Sequence, residues 1–446
     1  SIRGSRGSFP TEPLHAIALP AVASESFQTT IPVMSERRNN LKIGIIGAGP
    51  TGLAAAYDLS KAGARVTVFE AGAQVGGLAA GFQDEGWDWT LEKFYHHWFQ
   101  TDQSIIGLAR DLGVYDKIIW PRPKTVIYHK GQWHTFDSFV TIPLFLLRHF
   151  PLTDFIRFGL AGVQLRFSTN WKPLESITAA EWSRKHFGER LYDVLWRPML
   201  VGKFGEENLD VVNMAWLWAR LHTRTTRLGT FEGGFQAFMQ TLADAVSEQG
   251  ASIQLNTGAR QIRQNPGGWT VETSGEPGAF DAVISTTSPG AMLRLAPDLP
   301  GTYRDQLSGL KNLGAVVMVL TLKERLTDAY WHNLPKEAGF PFLALVEHTN
   351  YIDRSHYGGD HIVYCGDYLP ADHEYFKLDA EALLERFLPG LQRFNPAFDR
   401  SWVKDVWVWK AEYAQPIPTL NHSTKLPALR TPLNGLYFAS MSQVYP

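Results

Sequence analysis

Three observations predict an α/β protein. Residues 43–70 read as a βαβ unit with a glycine turn. A second glycine pair, Gly76-Gly77, follows. Strand, helix and hairpin signals then return between Phe231 and Pro289. The expected architecture is a Rossmann-like dinucleotide-binding domain assembled from three chain segments, with an interleaved α+β substrate domain. A chain of 446 residues is long for a single core and fits two such units.

The first unit runs Ile43-Gly-Ile-Ile-Gly47-Ala-Gly49-Pro50-Thr51-Gly52 and then Arg65-Val-Thr-Val-Phe-Glu70. Gly47 allows the tight turn after the strand. Gly49 leaves no side chain between the backbone and a pyrophosphate. Gly52 lets the next helix pack against the strand. The helix start at Gly49–Leu53, which holds Pro50 and Thr51, offers free N–H groups (Pro50 itself has none) and a positive dipole end to two phosphates. Glu70 ends the second strand, where its carboxylate can accept hydrogen bonds from both hydroxyls of an adenosine ribose.

The stretch Glu70-Ala71-Gly-Ala-Gln-Val-Gly76-Gly77-Leu78 resembles the FAD-binding signature of the amine oxidase, protoporphyrinogen oxidase and phytoene desaturase superfamily. The resemblance spans most of Leu41–Pro446. It is strong at 43–98, moderate at 229–290 and 406–446, and weak between. It implies FAD as cofactor and places Ala71, Gly76, Gly77 and Leu78 along its diphosphate. The backbone near Ala259 would touch adenine, and Thr286, Thr287 and Pro289 would lie near the diphosphate. Two departures stand out. Leu78 replaces an arginine common in amine oxidases, and Ser440-Met441 replaces a Gly-Asp or Gly-Glu pair whose acid binds the ribityl chain.

The remaining elements follow in order. Residues 1–33, rich in Ser and Pro, read as a leader or non-native extension before a start at Met34. Residues 78–98 form a loop along the flavin. Residues 101–113 form a capped helix. Lys124–Trp133 forms a hairpin turning at Lys130-Gly131. Helices are expected near 178–187, 189–196 and 211–221. A helix begins after Phe231-Glu-Gly233-Gly234, followed by a strand from Ser252, a hairpin at 259–273 and a strand from Phe280. Strands at 314–322, 341–348 and 361–368 form a separate sheet backed by a helix at 378–393. Residues 434–441 form the last nucleotide-domain strand. The family carries a further helix there, so the end at Pro446 reads as that of a fragment. The FAD-binding domain is thus assigned 34–113, 226–290 and 406–446, and the substrate or cap domain 114–225 and 291–405.

Chemistry at the site is sought first in Leu91–Trp98, which the resemblance places beside the flavin ring. Tyr95 and His96 are the catalytic candidates, since an imidazole moves protons near neutral pH. For either His96 or His97 alone, a buried or loop-capping histidine is the plainer alternative. Lys203 is a second candidate, for an anionic substrate or for the flavin. Its alternative is a solvated loop lysine. Arg220, Arg224, Arg227 and His222 form a basic cluster that receives substrate carboxylates or phosphates, or only faces water. Tyr413 is the third candidate, packed on the flavin face or at the domain junction.

Composition narrows the classes. A net charge of −2 argues against nucleic acid as partner. The single cysteine, Cys365, excludes a disulfide framework or a multi-cysteine metal site, and no metal site is expected. Cytoplasmic residence is the default. Aromatic residues make up 13% and suit a large apolar cleft as well as a core. No run reaches the ~18 apolar residues of a membrane span. Phe139–Phe167 comes nearest. On one helical wheel Arg148 and Arg166 oppose Arg157, and Pro151 interrupts the run, so a pair of packed cap helices is preferred and peripheral membrane contact is the minority reading.

The expected activity is an FAD-dependent oxidoreductase (oxidase, dehydrogenase or desaturase) acting on a lipophilic or ring-shaped small molecule. Oxygen, a quinone or NAD(P) would accept the electrons. The alternatives are a redox-neutral flavoenzyme resembling UDP-galactopyranose mutase and a flavin-binding protein without catalysis.

Overall fold

The computed structural model describes residues 40–446. The leader at 1–33 and the start at Met34 lie outside the described residues. A five-stranded parallel sheet is ordered Ser252–Gln254, Arg65–Phe69, Lys42–Ile46, Ala282–Ser285, Leu436–Phe438. The strand Lys42–Ile46 lies at its centre and is buried from Ile43 onward, as a parallel strand covered on both faces must be. Ile43 and Ile45 meet the helices Pro50–Lys61 and Phe235–Glu248 on one face. Ile46 and Phe69 meet the opposite layer, built from the antiparallel strands 259–265, 268–273 and 278–280 and the helices Pro289–Leu295 and Gly301–Ser308. Pro50 occupies the first turn of its helix, where a missing N–H is tolerated.

A second, seven-stranded sheet is ordered Val403–Pro416, Asn312–Leu322, His361–Leu369, Ala344–Glu347, Trp331–Asn333, Thr125–His129, Gln132–Thr135. Its one parallel pair joins Trp331–Asn333 to Thr125–His129. The hairpin turns at Lys130 and Gly131, both with positive φ, as the sequence predicts. Side chains alternate across this sheet. Met318, Leu320, Val363 and Cys365 pack under the helix Ala380–Gln392. Val317, Val319, Tyr364, Trp407 and Trp409 face the loop that follows Gly77. A helical layer, 141–222, closes the far side through Leu146, Leu165, Trp182 and Leu217.

Two segment boundaries move. Val403–Pro416 pairs along its length with Asn312–Leu322, so residues 406–416 belong to the second sheet and not to the nucleotide unit. The helices Pro289–Leu295 and Gly301–Ser308 share a core with Leu436 and Phe438, which puts most of 291–308 on the nucleotide side. The break expected at Pro151 within Phe139–Phe167 is present, and it leaves the three arginines no common wheel. Pro151 splits the run into the helices Thr141–His149 and Leu152–Phe167, so Arg148 and Arg166 share no helix axis.

Candidate active site

The glycine turn is held by contacts that only glycine permits. Gly47 has φ +101°, and a Cβ on Gly52 would lie 1.9 Å from the Gly47 carbonyl oxygen. The helix therefore sits directly on the turn. The Thr286 hydroxyl donates to the carbonyls of Ile46 (2.9 Å) and Gly47 (3.3 Å), bracing the turn from the neighbouring strand. Gly76 and Gly77 both have positive φ, and the Gly76 N–H donates to the Ala48 carbonyl at 2.9 Å. A Cβ on Gly49 would meet only the Cα of Gly77, at 3.8 Å. Two bare backbones thus face each other at a helix start that no side chain caps. That cradle suits a diphosphate.

Glu70 accepts from the Ala48 N–H through Oε2 and from the Gly72 N–H through Oε1, both at 2.8 Å. A carboxylate has about four lone-pair sites, so room remains for ribose hydroxyls. Loop 256–258 lies against Glu70–Gly72: the Thr257 N–H donates to the Glu70 carbonyl at 2.7 Å, and a Cβ on Gly258 would touch Ala71 at 3.3 Å. Ala259 opens the next strand, half-buried. Thr287 pairs with the Ser285 hydroxyl at 2.9 Å, and Pro289 is buried in a helix start capped by Ser288. Leu78 lies in a short 3-10 turn and brings no charge to the phosphates.

At the chain's end, Ser440 caps a 3-10 turn, Met441–Gln443, reciprocally with Gln443. The Tyr413 hydroxyl pairs with the hydroxyls of Ser440 (2.8 Å) and Ser442 (2.5 Å) and accepts from the Ser442 N–H (2.9 Å). Those partners tie Tyr413 to the terminal turn and occupy the group that proton transfer would need.

The segment Leu91–Trp98 crosses the gap between the two sheets. Tyr95 meets Trp331 and Tyr364 edge-on, with centroids 5.3 and 5.7 Å away. A Cβ on Gly366 would lie 2.7 Å from its hydroxyl, so that glycine makes room for the ring. Burial, then the acidic groups of Tyr368, Asp367 and Cys365, push the Tyr95 phenol well above its usual range, so it acts as a neutral hydrogen-bond donor. His97 pairs with the Tyr330 hydroxyl, and burial lowers its pKa to about 3. His97 is therefore neutral and structural. Burial also lowers His96, with Lys203 adding to the effect and the Phe94 carbonyl opposing it. That carbonyl can only accept, so Nδ1 of neutral His96 carries the proton and Nε2 is left as the base. His96 is exposed, whereas His97 is half-buried.

The cations of the cleft differ in exposure: Lys203 and Arg220 are half-buried and Arg224 is exposed. The Lys203 ammonium lies 4.3 Å from the Tyr368 ring centroid, and the Arg220 guanidinium 5.7 Å from that of Trp216. Burial, and then Arg220, pull Lys203 well below its usual range. The same two causes bring Arg224 to about 10. Arg227 and His222 leave the predicted cluster. Arg227 is exposed and donates to the Trp120 carbonyl at 2.8 Å, while a His222 ring nitrogen lies 3.2 Å from the Leu165 carbonyl.

Sequence reasoning missed Trp331, Tyr368, Trp407 and Trp409. The period-two aromatics Trp407-x-Trp409 and Tyr364-x-Gly366-x-Tyr368 were a usable signal for one lined sheet face. Glu92 lies within the candidate segment, but its fastening role was not foreseen. This acid is buried, accepts from the Phe235 N–H at 2.9 Å, and so ties the loop beside Tyr95 to the helix Phe235–Glu248.

The family described as flavin containing amine oxidoreductase matches residues 50–446. The chain is 22% identical to the 15-cis-phytoene desaturase of Narcissus pseudonarcissus, over 90% of this chain and 75% of that protein. An oxidoreductase from Methanosarcina mazei superposes with a TM-score of 0.69 at 20% identity, covering 90% of this chain and 95% of that one. Reduced UDP-galactopyranose mutase superposes with a TM-score of 0.66 at 20% identity, covering 86% of each chain. With the diphosphate cradle and Glu70 in place, the chain belongs to the flavin containing amine oxidoreductase family and is an FAD-dependent oxidoreductase.

Proposed function

We propose that the enzyme oxidises a lipophilic or ring-shaped small molecule, as an oxidase, dehydrogenase or desaturase. One observation carries this reading: the partly open aromatic wall of Tyr95, Trp331, Trp409 and Tyr368, set beside His96. FAD, when bound, supplies the two-electron acceptor. The chain's own residues do the rest. The wall orients an apolar ring or polyene and excludes water. Nε2 of His96 takes or returns a proton, and the neutral Tyr95 hydroxyl donates a hydrogen bond. Tyr413 holds the terminal turn. Gly47, Gly49, Gly52, Gly76 and Gly77 present backbone to the diphosphate, and Glu70 grips the ribose. Anaerobic mixing with a polyene or a porphyrinogen tests the reading. Bleaching of the flavin absorbance by either supports it, and no bleaching by any apolar reductant overturns it. Reoxidation by oxygen, a quinone or NAD(P), compared by stopped flow, identifies the acceptor.

A redox-neutral reaction on a sugar nucleotide is the second reading. The unpaired cations of the cleft and the fold shared with UDP-galactopyranose mutase favour it. A sugar nucleotide that perturbs the reduced flavin spectrum without net oxidation would replace the first reading with this one.

Peripheral contact with an anionic membrane is also proposed. Among the described residues, nine of the fourteen exposed large apolar side chains fall in 139–167, including Phe139 at 90%, Leu160 at 68% and Phe167 at 77%. Leu152, Ile156, Leu160, Val163 and Phe167 form one stripe along their helix. Arg148, Arg157 and Arg166 are exposed around it. The sole acid of 139–167, Asp154, is buried and paired with Arg190 at 2.7 Å. An apolar stripe with cationic flanks matches a surface of anionic lipid. No helix among the described residues is long and apolar enough to cross a membrane.

A further inference from the structure

We propose that the substrate carries an oxyanion, a carboxylate or a phosphate, gripped by Lys203, Arg220 and Arg224 beside His96. The inference rests on the cleft described above being the substrate site, and it goes on to name the chemical class of the substrate. Cations elsewhere in the protein find acids. Arg197 bonds both Glu206 and Glu337, and Arg190 holds the buried Asp154. Lys203, Arg220 and Arg224 differ. Among the described residues none of them has a carboxylate within ion-pair distance or a hydrogen-bond acceptor. Lys203 and Arg220 are half-buried and Arg224 is exposed at the rim of the cleft. Phe204, next to Lys203, packs edge-on against Trp216 of the helix that carries Arg220, with centroids 4.7 Å apart, and the Thr101 hydroxyl donates to the Thr223 carbonyl at 2.7 Å, which draws the Arg224 segment toward the one that carries His96. Each of the three lies within electrostatic reach of another, and His96 and His97 feel them too.

Holding three unpaired like charges near one another costs stability, and an internal acid would have relieved it. The positions are also fixed. A Cβ on Gly202 would lie 2.1 Å from Leu343 Cδ1, so the helix Arg197–Phe204 presses closely on its neighbour just before Lys203. The Tyr368 and Trp216 rings take one side of Lys203 and Arg220, and their N–H donors are left without a protein acceptor, free for a ligand oxygen. A cationic amine would be repelled here. A plain hydrocarbon would leave all three charges unpaired. An amphiphile with an acidic head and an apolar or aromatic body satisfies both the cations and the wall.

Titration of the FAD-loaded protein with benzoate, inorganic pyrophosphate and neutral benzamide tests this, read by calorimetry and by flavin absorbance. Benzoate or pyrophosphate is expected to bind, and benzamide to bind at least about tenfold more weakly. Arg220→Gln and Arg224→Gln should each weaken the preferred anion about tenfold or more at unchanged FAD content. The stronger of the two probes distinguishes a carboxylate from a phosphate. Lys203→Met, which removes an unpaired, half-buried charge, is expected to raise the melting temperature of the ligand-free holoenzyme. Equal binding of benzamide, failure of both anions to bind, or insensitivity to the arginine substitutions would overturn the proposal. A lowered melting temperature in Lys203→Met would do so too, by revealing an internal partner. Anion binding that depends on Arg220 and Arg224 but leaves the flavin spectrum unchanged would keep the oxyanion site and instead sink the placement of the cleft beside the flavin.

Discussion

Glu70 has both carboxylate oxygens engaged by backbone amides, one from the glycine turn and one from Gly72. Glu70→Ala therefore strips a ribose contact and also loosens the turn. The FAD dissociation constant is expected to rise by the equivalent of about 1–3 kcal/mol, measured by fluorescence titration. An unchanged constant would remove Glu70 from the site. Asp367 offers a prediction of the opposite kind. It is buried with Oδ1 unpartnered, and burial raises its pKa from 3.8 to about 7. A carboxyl raised in the folded state holds its proton better than in the unfolded chain. Its contribution is thus complete below pH 4 and is lost as pH rises through 7. Asp367→Asn should melt higher than the parent at pH 8, by about 2–4 °C per kcal/mol recovered, and lose that advantage at pH 4. Buried His348, lowered to about 3, runs the other way: its contribution is present above pH 6.5 and is lost as pH falls toward 3. At this scale the glycines and Glu70 were legible because each answers a local backbone demand. The split between His96 and His97 was not. It depends on Tyr330, 233 positions away from His97 in the chain.

Elements were legible where their period was regular. The parallel strands, the hairpin at Lys130-Gly131 and the helix Ala380–Gln392 all follow from alternation, turn residues or an amphipathic pattern. The stripe on Leu152–Phe167 was not legible from the three arginines, which lie on two helices; the apolar side chains alone carry the regular spacing. Its consequence is testable with charge. Wild-type protein should cosediment with vesicles rich in phosphatidylserine and much less with neutral phosphatidylcholine, and 0.5 M salt should weaken the binding. Ile156→Glu combined with Leu160→Glu should abolish cosedimentation at unchanged melting temperature, since both side chains are exposed. If instead the parent shows no vesicle binding but sediments as a dimer that this variant dissolves, the stripe is a self-association face.

At the scale of the whole molecule the two units are woven together. The chain leaves the nucleotide sheet after Phe69, returns at Ser252, leaves again after Ser285 and returns at Leu436. This alternation was legible because glycine-turn and hairpin signals recur along the sequence. The seam near 406–416 was not, because a strand's partner is set by tertiary register and not by its own residues. The long strand Val403–Pro416 pairs with the second sheet, yet its Tyr413 reaches the turn that follows the last nucleotide-sheet strand. Ser440 and Ser442 are buried there, so their hydroxyls depend on that phenol. Tyr413→Phe keeps the ring and deletes three polar contacts between the units. Leaving buried hydroxyls unsatisfied costs about 1–3 kcal/mol, which corresponds to a fall of roughly 2–4 °C in melting temperature per kcal/mol for a protein of this size. Because the segments interleave, the loss should shift one cooperative transition and not split it in two, by calorimetry. If the melting temperature is unchanged while the flavin spectrum moves, Tyr413 acts on the flavin and does not fasten the two units together.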